Sequence, residues 1–396
     1  MWQEPVTAAG VGMTEQRQLQ CTAVLPPGLE EAGAAELREL GASAVKPLRR
    51  AVAFRTDLAG FYRLQLQARL PFRLLRQLAA FPCRSREELY TGVQRAADWE
   101  QWLPPELSFR VDASGSLPGL NHSHYSALQV KNALVDWQRQ HFGQRSSVDL
   151  DDPDLHLHVH LGGGQAQLSV DGSGESLHRR GYRPRMGLAP LKENLAAGLI
   201  RLTGWDGHVP LADPLCGSGT LLIEAACMAL GRAARLEHRF ALERWPDFNG
   251  TFWNQALEQA ASGERTVLSN GTPLAPVLGL EHDAGVADQA RSNAEAAGVG
   301  GAVTIRCADF RSFEPPPGPG VLVCNPPYGE RIGAADELEQ LYADLGRMVK
   351  ERCSGWDFWL LSGNPELTGA LRMKASRRIP VSNGGIDCRW LHYEIR

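Results

Sequence analysis

Several common features are missing from this sequence of 396 residues, and each absence excludes a class of protein. The eight cysteines are scattered singly, with no Cys-x-x-Cys pair, which argues against a zinc site and a disulfide framework and favours a reducing compartment. No apolar run approaches the ~18–20 residues that a membrane helix needs. Residues 1–16 also lack the apolar core of a secretory signal. The sequence therefore predicts a cytoplasmic globular protein with no membrane partner and a disordered tail over residues 1–16.

The sequence also lacks an overall excess of positive charge, because 41 lysines and arginines face 45 acidic residues and the formal net charge is -4. Positive charge is nevertheless concentrated in one stretch, since residues 46–86 contain ten basic residues and a single acid, Asp57. A local excess of this kind can neutralise nucleic-acid phosphates even on an acidic protein. A solvated helix face would have the same composition, and both interpretations stay open for this stretch.

The character of the chain changes near residue 171. Residues 17–170 show the mixed pattern of an α+β region, and residues 171–190, rich in glycine, proline and arginine, predict a linker. Residues 191–396 alternate strands with helices, apart from a tryptophan-bearing insertion at residues 231–275. Such alternation predicts an α/β domain with a parallel sheet, whose ligand binds at the carboxyl ends of the strands.

The apolar periodicity places the individual elements. In the first region the predicted strands and helices are strands 19–25, 51–54, 155–161 and 165–170 and helices 29–40 and 125–142. In the second region they are strands 209–212, 277–280, 303–306, 321–323 and 358–361 and helices 220–230, 286–297 and 338–349.

A glycine-rich loop follows the first strand of the second region and reads Asp-Pro-Leu-Cys-Gly-Ser-Gly-Thr. Gly217 and Gly219 allow a tight turn and a close approach of the backbone to a ligand. Leu222 stands where the dinucleotide fingerprint needs a third glycine, and Asp213 would repel a pyrophosphate. The same carboxylate suits the positively charged amino group of a methionine moiety. The loop therefore predicts a site for S-adenosyl-L-methionine, with binding residues Asp213, Pro214, Cys216, Gly217, Gly219 and Thr220.

Acidic residues also end the next two predicted strands. Glu281, followed by His282, is placed to accept both hydroxyls of a ribose. Asp309 could accept the amino group of an adenine, and the ring of Phe310 could pack against it. Each feature alone is common in structural roles, but three such strand ends in the correct order favour an adenosyl site.

The fourth strand runs directly into Asn325-Pro326-Pro327-Tyr328. Two prolines remove two backbone donors, so the Asn325 side chain and the Pro326 carbonyl remain as acceptors for the two hydrogens of a planar amino group. Tyr328 offers a ring on which a flipped base can stack. A proline-rich surface turn would look similar on its own. Its position after an apolar strand and downstream of the adenosyl elements predicts the catalytic residues Asn325, Pro326, Pro327 and Tyr328.

Two other features of the sequence could indicate a cysteine nucleophile and a metal site, and we favour a structural interpretation of each. Cys324 could be a nucleophile, but it ends a buried strand with no basic neighbour to lower its pKa, so we interpret it as a core residue. His156, His158 and His160 alternate along a strand, as they would on a solvent face, and no carboxylate or cysteine stands at ligand spacing. We predict no metal.

An arginine-rich stretch precedes the second region. Arginines around an aromatic ring can bind phosphates and stack on bases, although a solvated linker is also plausible. We predict RNA contacts from Arg179, Arg180, Tyr182 and Arg183.

These motifs resemble those of the THUMP-domain N2-guanine RNA methyltransferases, in particular the bacterial 23S ribosomal RNA methyltransferase L group, over nearly the whole chain. The matching segments are residues 25–30, 147–160, 180–183 with 189–193, 213–220, 325–333 and 383–388. The resemblance implies a ferredoxin-like part and a THUMP domain that hold RNA, followed by a Rossmann-like methyltransferase domain whose parallel sheet ends in an antiparallel hairpin. It also implies a guanine N2 in ribosomal RNA as the acceptor.

Other acceptors and one different class of function stay open. A tRNA guanine is possible, because THUMP domains also occur in tRNA enzymes. Adenine-N6 DNA methyltransferases and release-factor glutamine methyltransferases share the Asn-Pro-Pro-Tyr motif, but an arginine-rich α+β half fits neither well. A non-catalytic ribosome-assembly factor would not need the intact set of Asp213, Glu281, Asp309 and Asn325.

Overall fold

The computed structural model describes residues 18–183, 191–328 and 335–396. The predicted tail at residues 1–16 lies outside the described residues, as do residues 184–190 of the predicted linker. Within the described part of the chain, no helix is long and apolar enough to cross a membrane. All eight cysteines are free thiols.

The first half of the chain builds one mixed sheet. Its strands are β1 (Leu19–Val24), β2 (Ser43–Leu48), β3 (Ala51–Thr56), β4 (Arg73–Pro82), β5 (Phe109–Gly115), β6 (Leu155–Gly162) and β7 (Gln165–Asp171). Its helices are α1 (Glu30–Glu39), α2 (Leu58–Gln67), α3 (Arg86–Gln94), α4 (Trp99–Trp102) and α5 (Ser123–Phe142). The strand order is β2-β3-β1-β4-β7-β6-β5, in which only β5 and β6 are parallel neighbours. The pairing of β4 with β7 joins the ferredoxin-like part to the THUMP part.

The second half builds a sheet in the order β10-β9-β8-β11-β12-β14-β13. Its strands are β8 (Leu211–Asp213), β9 (Val277–Glu281), β10 (Val303–Cys307), β11 (Val321–Cys324), β12 (Asp357–Ser362), β13 (Arg377–Asn383) and β14 (Ile386–Glu394). Its helices are α6 (Glu193–Thr203), α7 (Thr220–Ala229), α8 (Gly250–Ser262), α9 (Ala284–Ala296), α10 (Ala335–Arg352) and α11 (Pro365–Ala370). Strands β8 to β12 are parallel and β14 runs antiparallel to its neighbours. The predicted fold class is confirmed.

Some elements were not predicted because their burial is not periodic. Helix α6 is buried on nearly all sides, from Glu193 to Ile200, so it has no polar stripe to mark its helical period. Its Gly198 lies against α1, where an added Cβ would come within 2.3 Å of the Leu29 side chain. Strand β4 carries Arg73 and Arg76 within an apolar run, which hides the period of two.

The predicted insertion at residues 231–275 packs on the first half of the chain. The rings of Tyr62 on α2 and Trp253 on α8 meet edge to face with centroids 5.5 Å apart. Arg244 pairs with Asp152 at 2.6 Å and with Asp154 at 3.2 Å, just before β6. The insertion therefore connects the second half of the chain to both parts of the first sheet.

A buried carboxylate also joins the two halves in the interior of the protein. Glu224 lies on α7 and is 1% exposed. It accepts hydrogen bonds from Arg69 Nη1 at 3.1 Å and from the Tyr182 hydroxyl at 3.2 Å, and Arg180 Nε lies 3.6 Å away. Because charges that are buried without water must be paired, each of these groups depends on the others.

We expect Glu224→Gln to lower the free energy of unfolding by about 3–5 kcal/mol, because it leaves buried arginines without their counter-charge. Urea unfolding followed by circular dichroism measures the change. The matched control is Glu258→Gln, at an exposed position on α8, which should change it by less than about 0.5 kcal/mol. Equal effects of the two substitutions would show that the network does not stabilise the interface.

Candidate active site

The predicted site residues come together at one edge of the second sheet. Strands β8, β9, β10 and β11 are parallel neighbours, so their carboxyl ends point the same way. Asp213 and Glu281 are the last residues of β8 and β9. Asp309 follows β10 at a distance of two residues, and Asn325 directly follows β11. The structure thus places all four polar groups at the edge where such sheets bind ligands.

Asp213 is a buried acid, 3% exposed, and Pro214 after it is buried too. One carboxylate oxygen of Asp213 accepts a hydrogen bond from the backbone N–H of Leu215 at 3.1 Å. Burial, with a further contribution from the negative charge of Glu281, raises the pKa of Asp213 to about 8. Burial disfavours the ionised form of Asp213, whereas a cationic ligand group bound beside it would stabilise that form.

The glycine-rich loop is shaped to receive a ligand. Gly217 and Gly219 have φ angles of 53° and 80°, a region that glycine adopts without strain. A Cβ added to Gly217 would meet no atom within 4 Å, so its backbone borders open space. Cys216 and Thr220 are buried on either side, and burial raises the pKa of the Cys216 thiol. The loop can therefore bring its backbone against a bound cofactor.

Glu281 holds the loop and keeps capacity for a ligand. Its carboxylate accepts from the backbone N–H of Gly217 at 3.2 Å and from that of Asp283 at 3.0 Å. The His282 ring nitrogen Nδ1 lies 2.9 Å from the same carboxylate, and the His282 side chain is 77% exposed. A carboxylate offers about four lone-pair sites, and three are occupied here. One therefore remains for a ribose hydroxyl, and displacement of the exposed His282 ring would free a second.

The third strand end differs in part from the prediction. The Asp309 side chain is half-exposed, but its carboxylate also pairs with Arg311 at 2.8 Å. The Phe310 ring is buried in the core, 4% exposed, with the Arg311 guanidinium 4.8 Å from its centroid. The prediction that this ring packs against adenine is therefore wrong for this conformation, because core side chains and a cation cover it. Adenine recognition by Asp309 stays a prediction.

The Asn325 turn contains an unsatisfied buried acceptor. Asn325 Oδ1 is shielded from solvent, and no group in the described residues donates a hydrogen bond to it. Pro326 is buried and Pro327 is partly buried, and neither has an N–H. A buried acceptor without a partner costs about 1–3 kcal/mol. The turn is therefore suited to accept hydrogens from a ligand.

Two residues near the C terminus hold Tyr328, and their role had not been predicted. Asn383 Nδ2 donates a hydrogen bond to the Tyr328 hydroxyl at 2.7 Å, and the Cys388 thiol lies 3.6 Å from the same oxygen. Both belong to the motif at residues 383–388. The motif at residues 383–388 was therefore visible in the sequence, but only the tertiary structure shows that this segment reaches Tyr328.

The arginine-rich stretch has a different role from the one predicted. The side chains of Arg180 and Arg183 are 2% and 9% exposed, and Tyr182 is buried at 6%. Arg183 pairs with Glu193 at 2.6 Å, while the other two contact Glu224. The structure contradicts RNA contact for these three residues, since the interface encloses them.

RNA contact by Arg179 stays a prediction, because its side chain is 58% exposed.

Residues 171–173 of the predicted linker are buried rather than solvated. The basic stretch at residues 46–86 is divided in the same way, since Arg69 and Arg76 are buried. Its exposed members are Lys46, Arg49, Arg50, Arg55, Arg84 and Arg86.

Cys324 is fully buried, and burial raises the pKa of its thiol, which confirms its interpretation as a core residue. The histidine run is only partly on a solvent face, since His160 is exposed and His158 is half-buried. His156 is buried and its Nε2 lies 2.8 Å from the carboxylate of Asp112. In the described residues, no group of three potential ligands is arranged to hold a metal ion.

The fold and the site define a methyltransferase, and sequence comparison places the chain within that class. Residues 180–392 match the RMKL-like methyltransferase domain family, residues 83–171 the THUMP domain, and residues 20–75 the RlmL ferredoxin-like domain. The chain belongs to the RMKL-like methyltransferases and carries both N-terminal domains, as the resemblance predicted.

The relatives are named as RNA-modifying enzymes. A Synechocystis protein named as an RNA methyltransferase is 43% identical over 374 residues, which cover 94% of this chain and 96% of that protein. The ribosomal RNA large subunit methyltransferase K/L of Syntrophotalea carbinolica is 38% identical over 94% of this chain and 53% of its own length. The chain thus spans about half the length of the K/L enzymes that it matches.

Solved structures agree with the fold. The structure of SMU.472, a methyltransferase by name, contains S-adenosylhomocysteine and is 28% identical, with a TM-score of 0.83 over 96% of this chain and 98% of that one. A Listeria monocytogenes protein named for a predicted N6-adenine-specific DNA methylase activity is also 28% identical, with a TM-score of 0.84 over 96% and 97%. S-adenosyl-L-methionine is the cofactor of this RNA methyltransferase.

The affinity for S-adenosylhomocysteine, which carries the same cationic amino group, should increase from about pH 6 to about pH 8. In the predicted role of Asp213, only its ionised carboxylate attracts that group. Because its pKa is about 8, the affinity should then rise by up to roughly tenfold per pH unit below this value. Isothermal titration calorimetry measures it, with Asp213→Asn as the comparison that should bind weakly at every pH. An affinity of the wild type that does not change with pH would contradict this role.

The same substitution should stabilise the protein in the absence of cofactor. The folded-state pKa of Asp213, about 8, exceeds the ordinary value of 3.8. The folded state therefore binds the extra proton, and stability decreases as pH rises between these values. We expect ligand-free Asp213→Asn to melt at a higher temperature than the wild type at pH ~8 and at a similar temperature at pH ~4. Differential scanning fluorimetry tests this, and equal melting temperatures at the higher pH would refute it.

Proposed function

We propose that this protein transfers a methyl group from S-adenosyl-L-methionine to the exocyclic N2 of a guanine in large-subunit ribosomal RNA. The observation that carries the proposal is the buried Asn325 Oδ1, which lacks a donor among the described residues. A guanine N2 amino group has two hydrogens to give. Asn325 Oδ1 and the Pro326 carbonyl would accept one each, which removes the cost of the unpaired acceptor.

The cofactor half of the reaction follows from the strand ends. When bound, S-adenosyl-L-methionine supplies an electrophilic methyl group. In this proposal Asp213 binds the methionine amino group, Glu281 accepts the ribose hydroxyls, and Asp309 accepts the adenine amino group. The Gly217 backbone leaves space for the ligand. None of these residues takes part in bond breaking, so their contribution is binding and orientation.

The acceptor half depends on positioning. Accepting both amino hydrogens localises the lone pair on nitrogen and directs it out of the base plane. The Tyr328 ring then supports the face of a base that has left its stack. Catalysis of this kind needs no covalent intermediate and is consistent with a Cys324 thiol that burial keeps protonated. The rate acceleration comes from in-line geometry.

The choice of ribosomal RNA rests on three supports. A THUMP domain is matched at residues 83–171, and the K/L relatives are named for the large-subunit ribosomal RNA. The turn between β2 and β3 exposes Arg49 and Arg50, which can neutralise phosphates. A cytoplasmic location is part of the same proposal.

Methyl transfer from labelled cofactor tests the proposal. The wild type is incubated separately with unmodified protein-free large-subunit ribosomal RNA, bulk tRNA, duplex DNA and a release-factor peptide. The nucleic acids are then digested to nucleosides, and the peptide is counted directly. We expect label in N2-methylguanosine from ribosomal RNA. Asn325→Ala should reduce kcat on the order of 100-fold through misplacement of the amino group, with unchanged affinity for S-adenosylhomocysteine. Asn270→Ala, at an exposed loop position, serves as the control.

Each other outcome rejects a specific part of the proposal. Label in tRNA alone would reject the ribosomal target, and label in N6-methyladenosine or in the peptide would reject guanine. Full turnover by Asn325→Ala would reject the clamp. A protein that binds no S-adenosylhomocysteine and labels nothing would be a non-catalytic assembly factor.

A further inference from the structure

The tip of the β13–β14 hairpin lies beside the catalytic turn. Asn383 and Ile386 are the last pair of the ladder, and Gly384 and Gly385 connect them with φ angles of 61° and 90°. Positive φ at both central residues is the requirement of a type I′ turn, which joins strands with two residues. The two glycines therefore set the register of the tip.

This register turns one face of the hairpin toward Tyr328. Because side chains alternate along a strand and directly paired residues share a face, Asn383, Ile386 and Cys388 lie on the same side. Asn383 donates to the Tyr328 hydroxyl at 2.7 Å, within the range of a good hydrogen bond. The Cys388 thiol, at 3.6 Å, is a weaker partner.

The edge of the Tyr328 ring is also held. Gly363 directly follows β12, and a Cβ there would lie 3.2 Å from Tyr328 Cδ2 and 3.0 Å from Ile386 Cγ2. The absence of a side chain at this position lets the ring and the hairpin tip approach each other. Ile386 at the tip is 51% exposed. The hairpin thus contacts the hydroxyl end of Tyr328, and Gly363 leaves room beside the edge of its ring.

We propose that Asn383 is a positioning residue for methyl transfer, which holds the Tyr328 ring in the plane on which the acceptor base stacks. The inference rests on the proposed use of Tyr328 as a stacking surface. Without the hydrogen bond the ring can turn about its side-chain torsions, and the base moves with it. Since in-line transfer depends on the placement of the amino nitrogen to about 1 Å, a small rotation lowers the rate. Binding of the cofactor, at other strand ends, is unaffected.

Single-turnover methyl transfer on whichever RNA the wild type methylates tests this role. Asn383→Leu removes the donor at similar volume, and Tyr328→Phe removes only the hydroxyl. Each should slow transfer by about 10–100-fold, and the double variant should be no slower than the slower single variant, because both remove one hydrogen bond. Asn383→Asp, which can accept from the tyrosine hydroxyl, should restore most of the rate. Ser382→Ala, on the opposite face of the hairpin, is the matched control.

A merely structural role for Asn383 would lower the melting temperature and the affinity for S-adenosylhomocysteine together, whereas positioning changes the transfer rate alone. If Asn383→Leu does not fold, Tyr328→Phe measures the same hydrogen bond from its other end. A wild-type rate in Tyr328→Phe, or multiplied losses in the double variant, would overturn the inference. Transfer by the wild type to tRNA alone would reject the ribosomal target and leave this test intact, while a wild type that methylates no RNA overturns both.

Discussion

The arrangement of the chain depends on the pairing of one buried carboxylate, that of Glu224, with groups from three separate segments. Arg69 follows α2, and Arg180 and Tyr182 precede α6. Glu224 itself is on α7, the helix that begins at the end of the glycine-rich loop. Since buried charges cannot separate without a large cost, the first sheet has a defined position relative to the cofactor loop. An RNA bound to the first sheet would therefore meet the active site at a set distance.

Two polar groups of the candidate site lower the stability of the protein when no ligand is bound. Asp213 is buried with a raised pKa, and Asn325 presents an acceptor without a donor. Each group is complementary to one of the two substrates of a methyl transfer. The Asp213 carboxylate suits the cationic amino group of the cofactor, and the Asn325 oxygen suits the neutral amino group of the acceptor. Preorganised polar groups of this kind lower the stability of the free protein and contribute to binding when the ligand arrives.

Most of the site could be predicted because its residues stand at the ends of short apolar strands. Asp213, Glu281 and Asn325 lie at strand ends at one edge of the sheet, as that pattern predicted, while their roles in binding stay predictions. The arginine-rich segment could not be interpreted in the same way. Arg180 and Arg183 look like RNA ligands in a local window, and the acids that neutralise them, Glu224 and Glu193, come from elements that only folding brings near.

The sequence by itself determined the class of fold, the cofactor and the position of the Asn325 turn at a strand end, because these follow from local patterns of apolar residues, glycine, proline and strand-end acids. Tertiary structure alone decided which cations are exposed, that Phe310 belongs to the core, and that Asn383 reaches Tyr328. These facts depend on contacts between residues far apart in the chain. Burial and pairing across such distances arise from the packing of the two sheets, which no local pattern of residues contains.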